Sequence, residues 1–375
     1  MPTRDERVQL LVGSVMHDAW ESYEVDSDLL TPADAWHVNF GLNAGRIPAG
    51  VNTGAAIELR VGGEKVMVGT IDERRHKVTK ESNTVSLAGR DSVAKLLDCA
   101  APIFVAQMSD LPQIVAKVVR PLVACNIRID ADKTRIRKKI NVEPGDRAWE
   151  VLVRVAEANG LWAWCDPDGT LVIGGPDYTT PVVASLVMTF DGPANNLLSL
   201  EEVTSEHSRF TEVTVLSQTC GTEQEEGKHA LRGTARDQGM SGYRPQLVVD
   251  HESDTPAVCE DRARKLLADS RLSAFTLTAE VKGHRIVAPG QKSDGVLWKP
   301  GQRLHVRSEP HDIDAVFFVM ARRFIGGRRQ VGVTHLTLKE DGVWVLDAHP
   351  HQRKHRRGKN AGPGAVLDLA SGAAG

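Results

Sequence analysis

Thr84-Val85-Ser86-Leu87-Ala88-Gly89-Arg90-Asp91-Ser92-Val93-Ala94-Lys95-Leu96-Leu97-Asp98 is where one periodicity stops and another begins. Val85 and Leu87 alternate with Ser86 and Ala88, the pattern of a strand with one apolar face. Beyond Gly89 the pattern changes. Asp91 or Ser92 can accept from the free N–H groups of a first helical turn, and Val93, Leu96 and Leu97 then share a helical face. Gly89, Arg90, Asp91 and Ser92 are therefore expected to form a structural joint between a β-domain and a mixed domain. Neither Arg90 nor Asp91 has a chemical partner nearby in sequence, so the role expected of them is structural.

Upstream, short strands are expected at Val8–Val12, Ala35–Phe40, Ala56–Val61, Lys65–Ile71 and Thr84–Ala88, the last three in close succession. Gly62-Gly63 is a hairpin signal, because glycine accepts positive φ at little cost. The charged run Asp72-Glu73-Arg74-Arg75-His76-Lys77 reads as a solvated hairpin or edge. Residues 1–91 are thus expected to form a small antiparallel barrel or sandwich.

Downstream, helices and strands alternate through residues 92–181. Asp110-Leu111-Pro112 opens a helix carrying Ile114, Val115, Val118 and Val119. Ile127–Ile129 is a short strand. Pro144-Gly145-Asp146 precedes a helix that buries Trp149, Leu152, Val153 and Ala156, followed by strands Leu161–Cys165 and Thr170–Ile173 around the turn Asp166-Pro167-Asp168-Gly169.

Strands dominate again over residues 182–347, read as a second β-domain. They are expected at 185–190, 198–203, 209–217, 247–250, 274–281, 303–308, 315–324, 331–338 and 343–346. A helical insertion at 255–271 has Thr255 as its cap and Pro256 in its first turn. Residues 218–246 form a long loop, expected to be ordered by a neighbouring subunit. Residues 348–375 read as a basic, disordered tail. Within it Arg353, Lys354, Arg356, Arg357 and Lys359 are candidate contacts to an anionic partner.

The 375 residues exceed one ordinary core. With 46 basic and 49 acidic residues, no overall field suits a nucleic-acid coat. The five cysteines are scattered, with no Cys-x-x-Cys, and are expected to stay reduced. Neither a signal peptide nor a membrane span is evident, so synthesis in a cytoplasm is expected. Phosphate-loop, nucleophile-elbow and zinc-protease motifs do not occur, and adjacent pairs such as Glu201-Glu202 do not define a catalytic couple. No enzyme activity, cofactor or metal is expected.

The order of these blocks resembles the baseplate hub protein of Mu-like contractile-tail phages, related to other tail hub and type VI secretion spike-hub proteins. The resemblance runs from about Val8 to Leu346. It is carried by Val85 to Ser92 with Lys95-Leu96-Leu97-Asp98-Cys99, by Val142-Glu143-Pro144-Gly145-Asp146, and by Gly295-Val296-Leu297-Trp298-Lys299-Pro300-Gly301. It implies an α+β, mostly β fold: two similar antiparallel β-barrel domains flank a smaller α/β domain, and the second barrel carries the helical insertion. It implies a homotrimeric structural ring in the virion baseplate, assembled in the host bacterial cytoplasm. Its partners would be itself, a sixfold tail tube protein, a threefold central spike protein, and genomic DNA passing through the channel without sequence-specific contacts. The alternatives weighed are a tail-tip cell-wall hydrolase and a nucleic-acid-binding module acting through the basic tail.

Overall fold

The computed structural model describes residues 6–42, 47–48, 50–130, 137–157, 160–218, 227–237, 239–250, 253 and 255–344. Its first unit comprises β1 (Val8–Val12), β2 (Val15–His17), β3 (Ser22–Asp28), β4 (Ala35–Gly41), β5 (Ala56–Val61), β6 (Glu64–Val78) and β7 (Asn83–Asp91). Strict alternation explains them: Val8, Leu10 and Val12 of β1, and Val85 and Leu87 of β7, are buried while their neighbours are not. Gly62 and Gly63 both take positive φ at the β5–β6 turn. The charged run Asp72 to Lys77 is the exposed far end of β6, which is 15 residues long.

The middle unit has α1 (Ala94–Asp98), β8 (Val105–Ser109), α2 (Leu111–Val119), β9 (Ile127–Ile129), β10 (Arg137–Asn141), α3 (Ala148–Glu157), β11 (Trp162–Cys165) and β12 (Leu171–Gly174). Asp110 caps α2, its Oδ1 accepting from Gln113 N at 3.0 Å. Leu111, Ile114, Val118, Leu152 and Leu171 belong to a core separate from that of the sheet.

The last unit holds β13 (Val182–Met188), β14 (Leu197–Thr204), β15 (Glu212–Ser217), β16 (Leu231–Arg236), β17 (Pro245–Val249), α4 (Pro256–Ala274), β18 (Phe275–Lys282), β19 (Arg303–Ser308), β20 (Ile313–Gly327) and β21 (Gln330–Glu340). Thr255 caps α4, accepting from Val258 N at 3.3 Å, and the helix continues to Ala274, beyond the expected 271. No helix among the described residues is long and apolar enough to cross a membrane.

Four expectations change. First, the fold is mostly β with few helices, but the β-units are not separate closed barrels: they merge into one 13-stranded sheet. Its path runs β14-β18-β21-β20-β3-β4-β7-β6-β5-β1-β2, with β19 also on β20 and β13 on β19. The reason lies in the 15 residues of β20. β19 pairs only Ile313 to Phe318, so the edge from Ala321 to Gly326 is left for β3. One hydrophobic core accordingly contains residues from both ends of the chain, from Leu10 and Leu59 to Leu304 and Leu338. Second, the sheet is antiparallel except that β13 and β19 run parallel.

Third, the stretch 218–246 contributes β16, which pairs β15 within the same chain, and begins β17. With α4 these strands enclose their own core of Val213, Val215, Leu231, Cys259, Ala263 and Leu267. Gly233 permits that closeness, since a Cβ there would lie 2.1 Å from Glu260 N. Fourth, Val343 and Trp344 are not in a strand; Leu346 and the whole basic tail lie outside the described residues.

The strand sequence repeats in space. In the first unit the order is β3-β4-β7-β6-β5-β1, and in the last it is β14-β18-β21-β20-β19-β13. Both read the same way along the chain, with β15, β16, β17 and α4 inserted between β14 and β18.

Candidate assembly site

The inward alternation of β7 continues past Leu87 to Gly89 and Asp91, so a carboxylate reaches the buried face. Gly89 is required there by contact. A Cβ would sit 1.9 Å from Thr70 O and 2.9 Å from the Trp36 ring. Gly69 faces the same restriction from Arg90 O at 2.0 Å. Two glycines thus let β6 and β7 close on each other beside the bulge between Ile71 and Glu73.

Arg90 points outward and ties three elements together. Its Nε donates to Asp72 Oδ2 at 2.6 Å, and its two terminal nitrogens donate to both Asp98 oxygens at 3.1 and 2.7 Å. That two-pronged hydrogen bond from Arg90 is the first cause holding the Asp98 carboxyl below its ordinary value. The α1 cap differs from expectation. Val93 occupies the cap position without a capping side chain, and Asp91 Oδ1 accepts from Val93 N at 2.9 Å.

Asp91 is 4% exposed. Its second oxygen accepts from Asp34 N at 3.1 Å. Burial pushes its carboxyl up to about 6 against these hydrogen bonds. Asp34 is raised well above the ordinary range, first by burial and then by the Asp91 charge. The charge of Asp34 is opposed by Arg322 of β20, which is 3% exposed. Its terminal nitrogens donate to Val25 O at 3.2 Å and Val66 O at 3.5 Å, and its guanidinium lies 4.0 Å from the Phe324 ring centroid. Burial lowers Arg322 to about 10, while Asp34 and Asp26 work to raise it.

Ser92 connects this cluster to the middle unit. Its N–H donates to Val68 O at 3.0 Å and its hydroxyl to Gly169 O at 3.5 Å, with Cys165 Sγ 3.8 Å away. Burial and the Asp91 charge push the Cys165 thiol up, which disfavours the nucleophilic thiolate. Nearby, Trp162 Nε1 donates to Leu29 O at 2.6 Å, and Leu29 packs in one cluster with Leu272, Phe318, Met320 and Trp344. All three units of the chain meet here.

The joint is mechanical in its chemistry: the Asp34 and Asp91 carboxylates accept from backbone N–H groups, and the Arg322 charge acts on Asp34. Glu24, Asp26, His37, Asp72, Glu73 and Arg90 line a groove of about 340 Å³ on its outer side. Among the described residues no group of His, Cys, Asp and Glu could hold a metal ion. Of the residues read from sequence, Gly89, Arg90, Asp91 and Ser92 come together, whereas Arg353, Lys354, Arg356, Arg357 and Lys359 lie outside the described residues. Asp34 and Arg322 were missed by the sequence reading. Arg322 left a signal, a charge two residues before Phe324 and therefore on the same strand face.

Four family models match successive parts of the chain. They are the N-terminal domain of Mu phage baseplate assembly protein GpP-like (residues 7–91), the second domain of baseplate hub protein gp44-like (93–175), the third domain of tail protein NMB1110-like (209–267), and the tail protein C-terminal domain (269–343). The chain is 25% identical to the baseplate hub protein gp44 of Escherichia phage Mu, over 96% of this chain and 95% of that protein. The crystal structure of the tail protein from Neisseria meningitidis MC58 is 38% identical, with a TM-score of 0.80 over 92% of this chain and 99% of that one. The 43 kDa tail protein of prophage MuSo2 from Shewanella oneidensis shares the fold, with a TM-score of 0.78 at 20% identity over 90% of this chain and all of that one. A type VI secretion component of E. coli described as similar to T4 tail proteins gp27 and gp5 shares it more distantly, with a TM-score of 0.55 at 12% identity over 90% of this chain and 78% of that one. The baseplate hub homologues are structural proteins and not enzymes. The chain belongs to the baseplate hub family of phage tail proteins.

Proposed function

We propose that this chain forms a homotrimeric hub ring, joining a sixfold tail tube to a threefold central spike and lining a channel through which DNA passes. The observation that carries this reading is the repeated strand order within one chain, β3-β4-β7-β6-β5-β1 and β14-β18-β21-β20-β19-β13. Three copies of a chain with two similar β-units present six quasi-equivalent surfaces to a tube and three identical chains to a spike. The joint supports the same reading, because a ring that transmits load needs its two β-units held at a fixed relation. Assembly in the host bacterial cytoplasm belongs to this proposal. Near-balanced charge suits a channel that must not grip phosphate.

Light scattering after size exclusion tests it. A trimer of the 40.8 kDa chain has a mass of about 122 kDa, three times the monomer. A monomer at every concentration, alone and with spike protein, sinks the hub ring. The hydrolase alternative finds no support in a joint whose carboxylates are sealed, and lysis of bacterial walls by the purified protein would revive it.

A further inference from the structure

The repeat extends to individual residues through the register. In the first unit the β6–β7 ladder is shifted between Ile71 and Glu73; in the last, the β20–β21 ladder is shifted between Val319 and Ala321. Aligning the two bulges places Arg74-Arg75 of β6 on Arg322-Arg323 of β20. Following the ladders outward, Gly89 matches Leu338, Trp36 matches Leu277, and Val25 matches Glu202. β3 thereby falls on β14, with Ser22-Tyr23-Glu24 on Ser199-Leu200-Glu201 and Ser27 on Thr204.

One relationship within the chain has no counterpart. Past the end of β19, β20 pairs antiparallel with β3, Arg323 opposite Asp26 and Ile325 opposite Glu24. Past the end of β5, β6 has the same free edge over residues 72–78, with no strand on it among the described residues. β14, the equivalent of β3, ends the sheet and is likewise unpaired on its outer side. Val78 and Val203 are 66% and 47% exposed along these edges. Long free edges are templates for another strand.

We infer that β6 of one copy pairs antiparallel, through residues 72–78, with β14 of a second copy, repeating between chains the β20–β3 seam made within each chain. The equivalence sets the register: Lys77 faces Glu201 of the second copy, His76 faces Glu202, Arg75 faces Val203 and Val78 faces Leu200. That register was fixed by topology alone, yet it brings Lys77 onto a carboxylate. The charges agree with the seam inside the chain, where Arg323 Nη1 lies 3.3 Å from Glu24 Oε1; the matching diagonal joins Arg75 to Glu201. Lys77, Glu201 and Glu202 have no ion-pair partner among the described residues. The contact is heterologous, the kind that generates a ring when its rotation closes. This inference rests on the hub-ring reading and assigns its subunit contact.

Two measurements on the full chain test it. Lys77→Cys and Glu201→Cys proteins are made separately, mixed, and oxidised mildly. A covalent dimer that needs both variants is expected, and the double variant should give covalent trimers. Separately, Lys77→Glu should raise the protein concentration at half-assembly about tenfold or more through like-charge apposition, and adding Glu201→Lys should restore assembly. A wild-type trimer with no cross-link dependent on both cysteines, and with assembly unchanged by Lys77→Glu, overturns this pairing and leaves the ring standing. A wild-type protein that never forms a trimer, alone or with spike protein, overturns both.

Discussion

Asp34 and Asp91 hold each other through the main chain: Asp91 N donates to Asp34 O at 2.9 Å, and Asp34 N donates back to Asp91 Oδ2 at 3.1 Å. Two carboxylates are thereby kept close in the interior, with Arg322 as a buried cation whose charge acts on Asp34. An arrangement of this kind adds little net stability but fixes one geometry, since a missing member leaves uncompensated charge. At the junction of three units, that property serves a protein whose parts must not swivel.

The pH response of Asp91 has a definite sign. Its folded value of about 6 lies above the ordinary carboxylate value, so the folded chain binds more protons than the unfolded chain between roughly pH 4 and 6. Stability from this group is present at low pH and is lost as pH rises through about 6. Urea unfolding of wild type and Asp91→Asn at pH 4 and pH 7 checks it: the difference between them should move in favour of the variant by about 2 kcal/mol as pH rises.

Arg322→Met should cost about 3–5 kcal/mol, because Asp34 remains buried, and Asp26 half-buried, without their cation. Combining it with Asp34→Asn should cost less than the sum of the two single changes. A coupling of about 1–3 kcal/mol in a thermal or urea double-mutant cycle is expected. Strict additivity would mean that the two side chains do not act on each other.

Gly89→Ala should be among the most damaging single-methyl changes in the chain. The new Cβ meets Thr70 O, a backbone atom fixed in the sheet, at 1.9 Å. A loss of about 3 kcal/mol or more is expected by calorimetry. Arg90→Gln, at a guanidinium 35% exposed, should cost only about 1 kcal/mol despite its three hydrogen bonds. If the two variants unfold at similar temperatures, the close approach of β6 and β7 is not what sets this joint.

Deleting residues 348–375 separates the basic tail from the rest of the molecule. The proposed trimer should persist, lighter only by its deleted segments, and any salt-sensitive binding to DNA should vanish. DNA binding that survives the deletion would place the anion contact elsewhere.

What the sequence determined by itself was local. Alternation located β1, β5, β7 and β19 because a strand half-buried in a sheet must repeat every two residues, and Asp110 and Thr255 marked helix starts because a free N–H turn needs an acceptor. The span Gly89 to Ser92 is read as a joint from sequence because periodicity changes there. The ordered motifs from Val85 to Gly301 were enough to indicate the family. Tertiary structure alone decided the rest, and each case is a contact between residues far apart in the chain. The charge of Arg322 acts on Asp34, β20 pairs β3 to merge two expected barrels, and β16 folds onto β15 within a stretch whose glycines and charges suggested a loop. Periodicity records which face of a strand is buried but not which strand lies beside it. That choice depends on edges left free by unequal strand lengths, and it emerges only when the whole sheet is assembled.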